Sequence, residues 1–189
     1  MPKIVGPGPY RGAMTTDPTE LRTERLVLRR VTDADVPAAI RIMGDPETNR
    51  YNPAGAPTPE EATAQVAEWQ EHWRRDGIGY WSVTLRTTGD QVGFGGLRHH
   101  VQDGEQTLNL FYRFTPIHWG KGYAPEMAAA AIAWADTNTP DRPVVIITDV
   151  DNKPSQRVAE KLGFVHTADS ITIDGPVLVW RRLSGGEPR

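Results

Sequence analysis

Cysteine is absent from the 189-residue chain. That removes disulfides, a thiol nucleophile and any cysteine-based zinc site, and it makes a reducing compartment, the cytoplasm, the expected home. Long hydrophobic runs are missing too. No segment approaches the length of a membrane-spanning helix, and the start, MPKIVGPGPYRG, holds no apolar stretch long enough for a signal-peptide core. Neither sign of charge dominates: 21 Lys and Arg face 24 Asp and Glu, a formal net charge of −3, so a broad grip on nucleic acid or anionic membrane is not expected. Familiar nucleotide and metal signatures are missing as well. There is no GxxxxGK[ST], GFGGLR carries Arg98 where the last glycine of GxGxxG would fall, and no HExxH occurs. His99 and His100 are adjacent and would point to opposite faces of a strand, so no metal is assigned.

What is present is globular: 38% hydrophobic and 24% charged residues, in a length suited to one domain. Residues 1–20 are rich in Gly, Pro and Thr without apolar periodicity and read as a flexible extension. The domain spans residues 21–183, and 184–189 form a tail. Residues 25–31 (RLVLRRV) read as a strand, and Thr32 with Asp35 forms a capping-box pattern before a helix bearing Val36, Ile40 and Met43. A long Gly/Pro-rich loop ends at Thr58, Pro59 and Glu61, which open a helix to about Arg75, with Val66, Trp69 and Trp73 on its buried face and Gly77 as its stop. Strands follow at 80–85, 91–100 and 106–114, with turns at Gly89/Asp90 and Asp103/Gly104. An Ala-rich helix with Pro125 in its first turn, an apolar strand at 144–150, a short helix between Pro154 and Gly163, and strands at 164–170 and 177–183 complete the chain. The order β, α, α, β, β, β, α, β, α, β, β is a mixed α/β (α+β) arrangement rather than a simple βαβ alternation.

The segment Trp119-Gly120-Lys121-Gly122-Tyr123-Ala124 lies between a strand and a helix. Glycines there admit a ligand close to the backbone, and free N–H groups at the helix start can cradle a pyrophosphate; the same glycines also suit a tight turn with no ligand. The element order, WGKGYAPEM opening the helix, and VDNKPSQRVAEKLGF after the next strand together resemble the GNAT superfamily of acetyl-CoA-dependent N-acetyltransferases. Within it, the chain looks most like the branch of ribosomal-protein-alanine N-acetyltransferases. The similarity spans residues 21–183 and implies a mixed, mostly antiparallel twisted sheet flanked by helices and splayed around acetyl-CoA.

The resemblance also implies roles. The family's pyrophosphate loop, [RQ]xxGxG/A, falls on His118, Trp119, Gly120, Lys121, Gly122, Tyr123 and Ala124, with Ile117 or His118 in place of the leading Arg or Gln. Phe111, Tyr112 and Arg113 correspond to the strand end whose backbone pairs with the pantetheine arm. Asn152 matches a cofactor-contacting Asn and also suits a helix cap. Ser155 matches a Ser near the thioester sulfur, or is a solvent-facing first-turn residue. In the reaction a neutral amine attacks a thioester carbonyl, the oxyanion needs a donor and the departing thiolate takes a proton. The Tyr that often supplies this proton is replaced by Ala159, which leaves Ser155 or water. The acid often found before the FYRF-like segment is replaced by Asn109. The base is then His99, His100, Asp103 or Glu105, or a water chain. Glu126 complements the helix N-terminus.

Arg50 and Tyr51, in the long loop, are candidates for acceptor selection, with Asn109 and Trp81 as further substrate-side residues. Trp69, Trp73, Tyr80 and Trp81 either line an acceptor pocket or belong to the core. The implied activity is acetyl transfer from acetyl-CoA to a primary amine, on a protein N-terminus or a small molecule, by direct attack because no cysteine can carry the acetyl group. A monomer or homodimer is expected. Two other readings stay open: an acyl-CoA-binding sensor or interaction module that has lost catalysis, and an unrelated phosphate-binding protein.

Overall fold

Apolar β-branched and aromatic runs punctuated by Gly-Asp and Asp-Gly turns build a sheet, and two capped amphipathic segments cover it. The structure, a computed structural model, describes residues 20–172 and 175–182. The expectations for residues 1–19 and for the tail lie outside the described residues. The strands are β1 (Glu20–Arg22), β2 (Leu26–Arg30), β3 (Tyr80–Leu85), β4 (Gln91–Gln102), β5 (Glu105–Phe114), β6 (Val144–Asp149), β7 (Phe164–Thr172) and β8 (Gly175–Arg182). The helices are α1 (Val36–Met43), α2 (Pro59–Asp76), α3 (Tyr123–Asn138) and α4 (Lys153–Lys161).

These strands form one sheet in the order β1-β2-β3-β4-β5-β6-β8-β7. Each neighbouring pair is antiparallel except β5 with β6, which run parallel. This is the mixed, mostly antiparallel architecture expected from the sequence. One strand is new. Glu20, grouped by composition with the extension, instead opens β1, which pairs with β2 and buries Leu21; three residues are too short to show a period-2 pattern.

Helix ends follow their caps. Thr58 accepts from the Glu61 N–H while the Glu61 side chain accepts from the Thr58 N–H, and Gly77 closes α2 in the left-handed conformation. The Thr32/Asp35 capping box starts a single 3-10 turn at Asp33–Asp35, and α1 begins one residue later. Leu26, Leu28, Trp81, Phe94, Leu97, Leu108, Met127 and Ile146 are fully buried and form the centre of the core. Trp69, Trp73 and Tyr80 join them. Trp81 packs against Trp73 and Trp134 and has no exposed surface, so it belongs to the core and not to an acceptor pocket.

Among the buried polar side chains of the described residues the charged one is Asp35, with 0% exposure. Its carboxylate accepts two hydrogen bonds from Arg29 at 2.8 and 2.7 Å, one from the Thr32 N–H at 2.7 Å and one from Gln91 at 2.9 Å. Burial opposes ionisation of Asp35, but the Arg29 and Thr32 hydrogen bonds and the Arg29 charge outweigh it and hold the carboxyl below its ordinary range. The group therefore contributes stability that is fully present above the unfolded carboxylate pKa and is lost as pH falls through the lowered folded value. Asp35→Asn should destabilise the protein by about 2–3 kcal/mol at pH 7, below the usual cost of a broken buried pair because Arg29 stays partly solvated. Thermal unfolding from pH 7 down to pH 3 checks this. The difference between wild type and variant should shrink on acidification, and a constant difference would contradict the assignment.

Candidate active site

A parallel pair needs slanted, evenly spaced hydrogen bonds along its length, and β5 and β6 sustain them for two positions only, Leu108 with Val144 and Asn109 with Val145. Beyond Asn109 the strands diverge, while β5 stays paired to β4 as far as Phe114. Among the described residues, the β5 edge at residues 110–113 is thus left without a strand partner on its β6 side. A cleft of about 650 Å³ opens there, within the range of small-molecule sites.

Its walls come from five segments. Phe111, Tyr112 and Arg113 supply the β5 wall, and Ile146 to Asp149 the β6 wall; His118, Trp119, Gly120, Gly122, Tyr123 and Ala124 form one end, with Asn152 and Ser155 at the start of α4. The segment carrying Glu47, Thr48, Arg50 and Tyr51 closes the other side. Gly120 and Gly122 both sit at positive φ, 73° and 80°, where other L-residues are strained. The Glu126 N–H is bonded to the Gly122 carbonyl and Pro125 has no N–H, so the Tyr123 and Ala124 N–H groups remain as open donors at the positive end of α3.

The loop is braced from the turn between β1 and β2. Arg25 donates to Glu126 through its backbone N–H at 2.9 Å and its guanidinium at 2.6 Å, donates to the Lys121 carbonyl at 2.8 Å, and lies 4.7 Å above the Tyr123 ring. Thr23 adds a hydroxyl to the same carboxylate at 2.6 Å. Glu126 is thus more than a partner for the helix dipole: it ties α3 to that turn. At the loop's start, Thr115 Oγ1 and His118 Nδ1 lie 2.6 Å apart, and Trp119 Nε1 donates to the Phe114 carbonyl. Burial and the Lys121 charge push the His118 pKa down, with Asp90 opposing.

Asn152 caps α4 by accepting from the Ser155 N–H at 3.1 Å. Ser155 Oγ lies 2.7 Å from the Tyr112 hydroxyl, which is also 3.3 Å from the Ser155 carbonyl. Burial pushes the Tyr112 phenol up to about 12, with the Ser155 hydrogen bond opposing, so Tyr112 stays a neutral donor near pH 7. Ser155 is therefore not a bare solvent-facing residue.

Several sequence-based expectations fall elsewhere. His99, His100, Asp103 and Glu105 lie at the closed end of the β4–β5 hairpin, opposite to the divergence, and none lines the cleft. Burial and the Arg142 charge push His99 down, Asp76 opposes this, and its Nδ1 has no hydrogen-bond partner among the described residues. His100 Nε2 faces Gln102, and Glu105 is paired with Arg181. None of these histidines or acids is placed to serve as base. Asn109 is the last residue paired to β6 and stays out of the cleft, as does Lys121, whose carbonyl faces Arg25. Arg50 and Tyr51 do line it, with Arg50 bonded to Glu47 at 2.9 Å.

One acidic residue escaped the sequence reading. Asp149, at the carboxyl end of β6, lines both the main cleft and an adjoining recess of about 220 Å³. Its carboxylate accepts a hydrogen bond from the Asp151 N–H at 2.8 Å. The tendency of ligand sites to gather at carboxyl ends of strands was the available signal. Beside it, Thr148 Oγ1 is buried without a hydrogen-bond partner among the described residues.

The acetyltransferase (GNAT) domain family matches residues 25–165, and the chain belongs to this family. A Bacillus subtilis protein, Uncharacterized protein YkkB, is 27% identical over 168 residues, covering 88% of this chain and 96% of its own. The acetyltransferase from Agrobacterium tumefaciens str. C58 has a TM-score of 0.77 at 28% identity, covering 92% of this chain and 99% of that one. RimL, a ribosomal L7/L12 alpha-N-protein acetyltransferase solved with coenzyme A, has a TM-score of 0.71 at 17% identity, covering 88% and 97%. At that identity the likeness concerns the fold.

If the Arg25 brace sets the shape of the glycine loop, Arg25→Ala should weaken acetyl-CoA binding about tenfold in calorimetric titration while shifting the melting temperature by only a few degrees. Unchanged affinity would reduce the brace to a surface ion pair.

Proposed function

We propose that this protein transfers an acetyl group from acetyl-CoA to a primary amine by direct attack, without an acetylated enzyme. The observation that carries the reading is the unpaired β5 edge lying between a glycine loop with open helix-start donors and the Ser155–Tyr112 pair. Such an arrangement suits a ligand with a phosphate at one end and an amide-bearing arm able to pair with a strand edge. Acetyl-CoA has this chemistry, and when bound it supplies the activated acetyl group as a thioester. Coenzyme A in the RimL structure supports the same choice.

The chain's own groups divide the work. Gly120, Gly122, Tyr123 and Ala124 hold the pyrophosphate through backbone N–H groups. The β5 edge at Phe111, Tyr112 and Arg113 orients the arm through main-chain groups. Either hydroxyl of the Tyr112–Ser155 contact can donate; with Tyr112 as the donor, the serine's own proton is left for the thiolate leaving group. Asp149 attracts the acceptor ammonium and takes its proton, the part left open by Asn109. Arg50 and Tyr51 border the acceptor side.

Calorimetric titration with acetyl-CoA, against ADP and inorganic phosphate, tests the binding half. Micromolar affinity that depends on the pantetheine arm is expected. Thiol release with an amine panel tests the chemical half. Ser155→Ala should lower kcat about 100-fold with acetyl-CoA affinity unchanged within twofold, and Asp149→Asn should lower kcat with acetyl-CoA affinity likewise unchanged. Tight binding without thiol release from any amine would favour the sensor reading, and no discrimination between acetyl-CoA and ADP would favour a phosphate-binding protein.

A further inference from the structure

Arg113 is a cation with an incomplete set of partners. It is half-buried, lines the cleft, and makes one side-chain hydrogen bond, from Nη1 to Asn49 Oδ1 at 2.6 Å. Its guanidinium carbon lies 5.8 Å from the centre of the Phe111 ring. Among the described residues no carboxylate forms a salt bridge with it: Glu47, on the segment that carries Asn49, is held by Arg50 at 2.9 and 3.1 Å. Desolvation without a compensating anion pushes its pKa down to about 10. Proteins pair cations withdrawn from water, and a guanidinium offers five N–H donors, of which Asn49 takes one.

Neighbouring side chains show which ligand can supply the missing charge. Successive residues of a strand point to opposite faces. Tyr112 reaches Ser155 on α4, whereas Phe111 stacks on Tyr80 and Arg113 reaches Asn49. Arg113 is thus turned toward the segment of residues 47–52, away from α4. Asn49 is itself fixed, donating to the Met43 and Asp45 carbonyls, so the guanidinium is held in place before any ligand arrives. A planar, pre-positioned fork matches a carboxylate in two-point contact. Asp149, of opposite charge, lines the same cleft.

We propose that Arg113 binds a carboxylate carried by the acceptor, so that the protein acetylates amines of the amino-acid type in preference to simple amines. This rests on the acetyltransferase reading above. The ammonium of such an acceptor lies toward Asp149 and its carboxylate toward Arg113, and Asn49 acts as a positioning residue for the guanidinium.

The test uses the whole protein saturated with CoA. N-acetyl derivatives of glycine, alanine, phenylalanine and glutamate, and their C-terminal amides, are titrated into wild type, Arg113→Gln and Arg113→Lys. At least one acid should bind wild type ten or more times more tightly than its amide. That preference should vanish in Arg113→Gln and survive in part in Arg113→Lys, with acetyl-CoA affinity within about twofold of wild type in both. Equal binding of acids and amides, or binding of neither, overturns the proposal. So does a tenfold loss of acetyl-CoA affinity in Arg113→Gln, which would assign the anion to the cofactor's phosphates. Wild type that binds no acetyl-CoA at all would instead remove the acetyltransferase reading beneath it.

Discussion

The two-residue length of the parallel β5–β6 pairing is the constraint on which the rest of the site depends. If those strands stayed paired to their ends, the β5 edge at residues 110–113 would be closed and the cleft filled by backbone. Divergence instead leaves main-chain donors and acceptors exposed in the middle of a sheet, a position where they are normally satisfied. A ligand able to pair like a strand completes the ladder. The antiparallel meander from β1 to β5 and the β6-β8-β7 unit hold the two walls, so the opening is a built feature of the topology.

Each end of that opening is met by a helix start. α3 presents the glycine loop and its open N–H groups, and α4 presents Asn152 and Ser155. Both starts are tied to neighbouring segments, α3 by Glu126 to Arg25 in the β1–β2 turn and α4 by Ser155 to Tyr112 on β5. Groups intended for a polar ligand are therefore positioned in advance, which limits the ordering cost of binding. The Arg113 guanidinium, without a salt-bridge partner among the described residues, and the Asp149 carboxylate both line the cleft.

Much of this was legible in the sequence because it is local. The Thr58/Glu61 box, the Gly77 stop, the β4–β5 turn and WGKGYAPEM each depend on contacts within a few residues, and each stands where the pattern put it. What could not be read is the relation between elements. His99, His100 and Glu105 have the right chemistry and sit near the FYRF segment in sequence, yet strand direction carries them to the closed end of the hairpin. Trp81 has an aromatic ring suited to a pocket, but Trp73 and Trp134 arrive from two different helices to bury it. Asp149 and the Tyr112–Ser155 contact span elements far apart in the chain, and only the splay of the sheet brings them to one cleft. β1 escaped notice for a simpler reason, since three residues carry no period.

Backbone hydrogen exchange, measured with acetyl-CoA and separately with ADP at saturating concentration, examines the central claim that the free β5 edge is the cofactor's docking strand. Acetyl-CoA is predicted to slow exchange both in residues 120–124 and along residues 110–113, whereas ADP, which lacks the pantetheine arm, should slow only the loop. Acetyl-CoA binding that leaves the β5 edge unprotected would contradict the account.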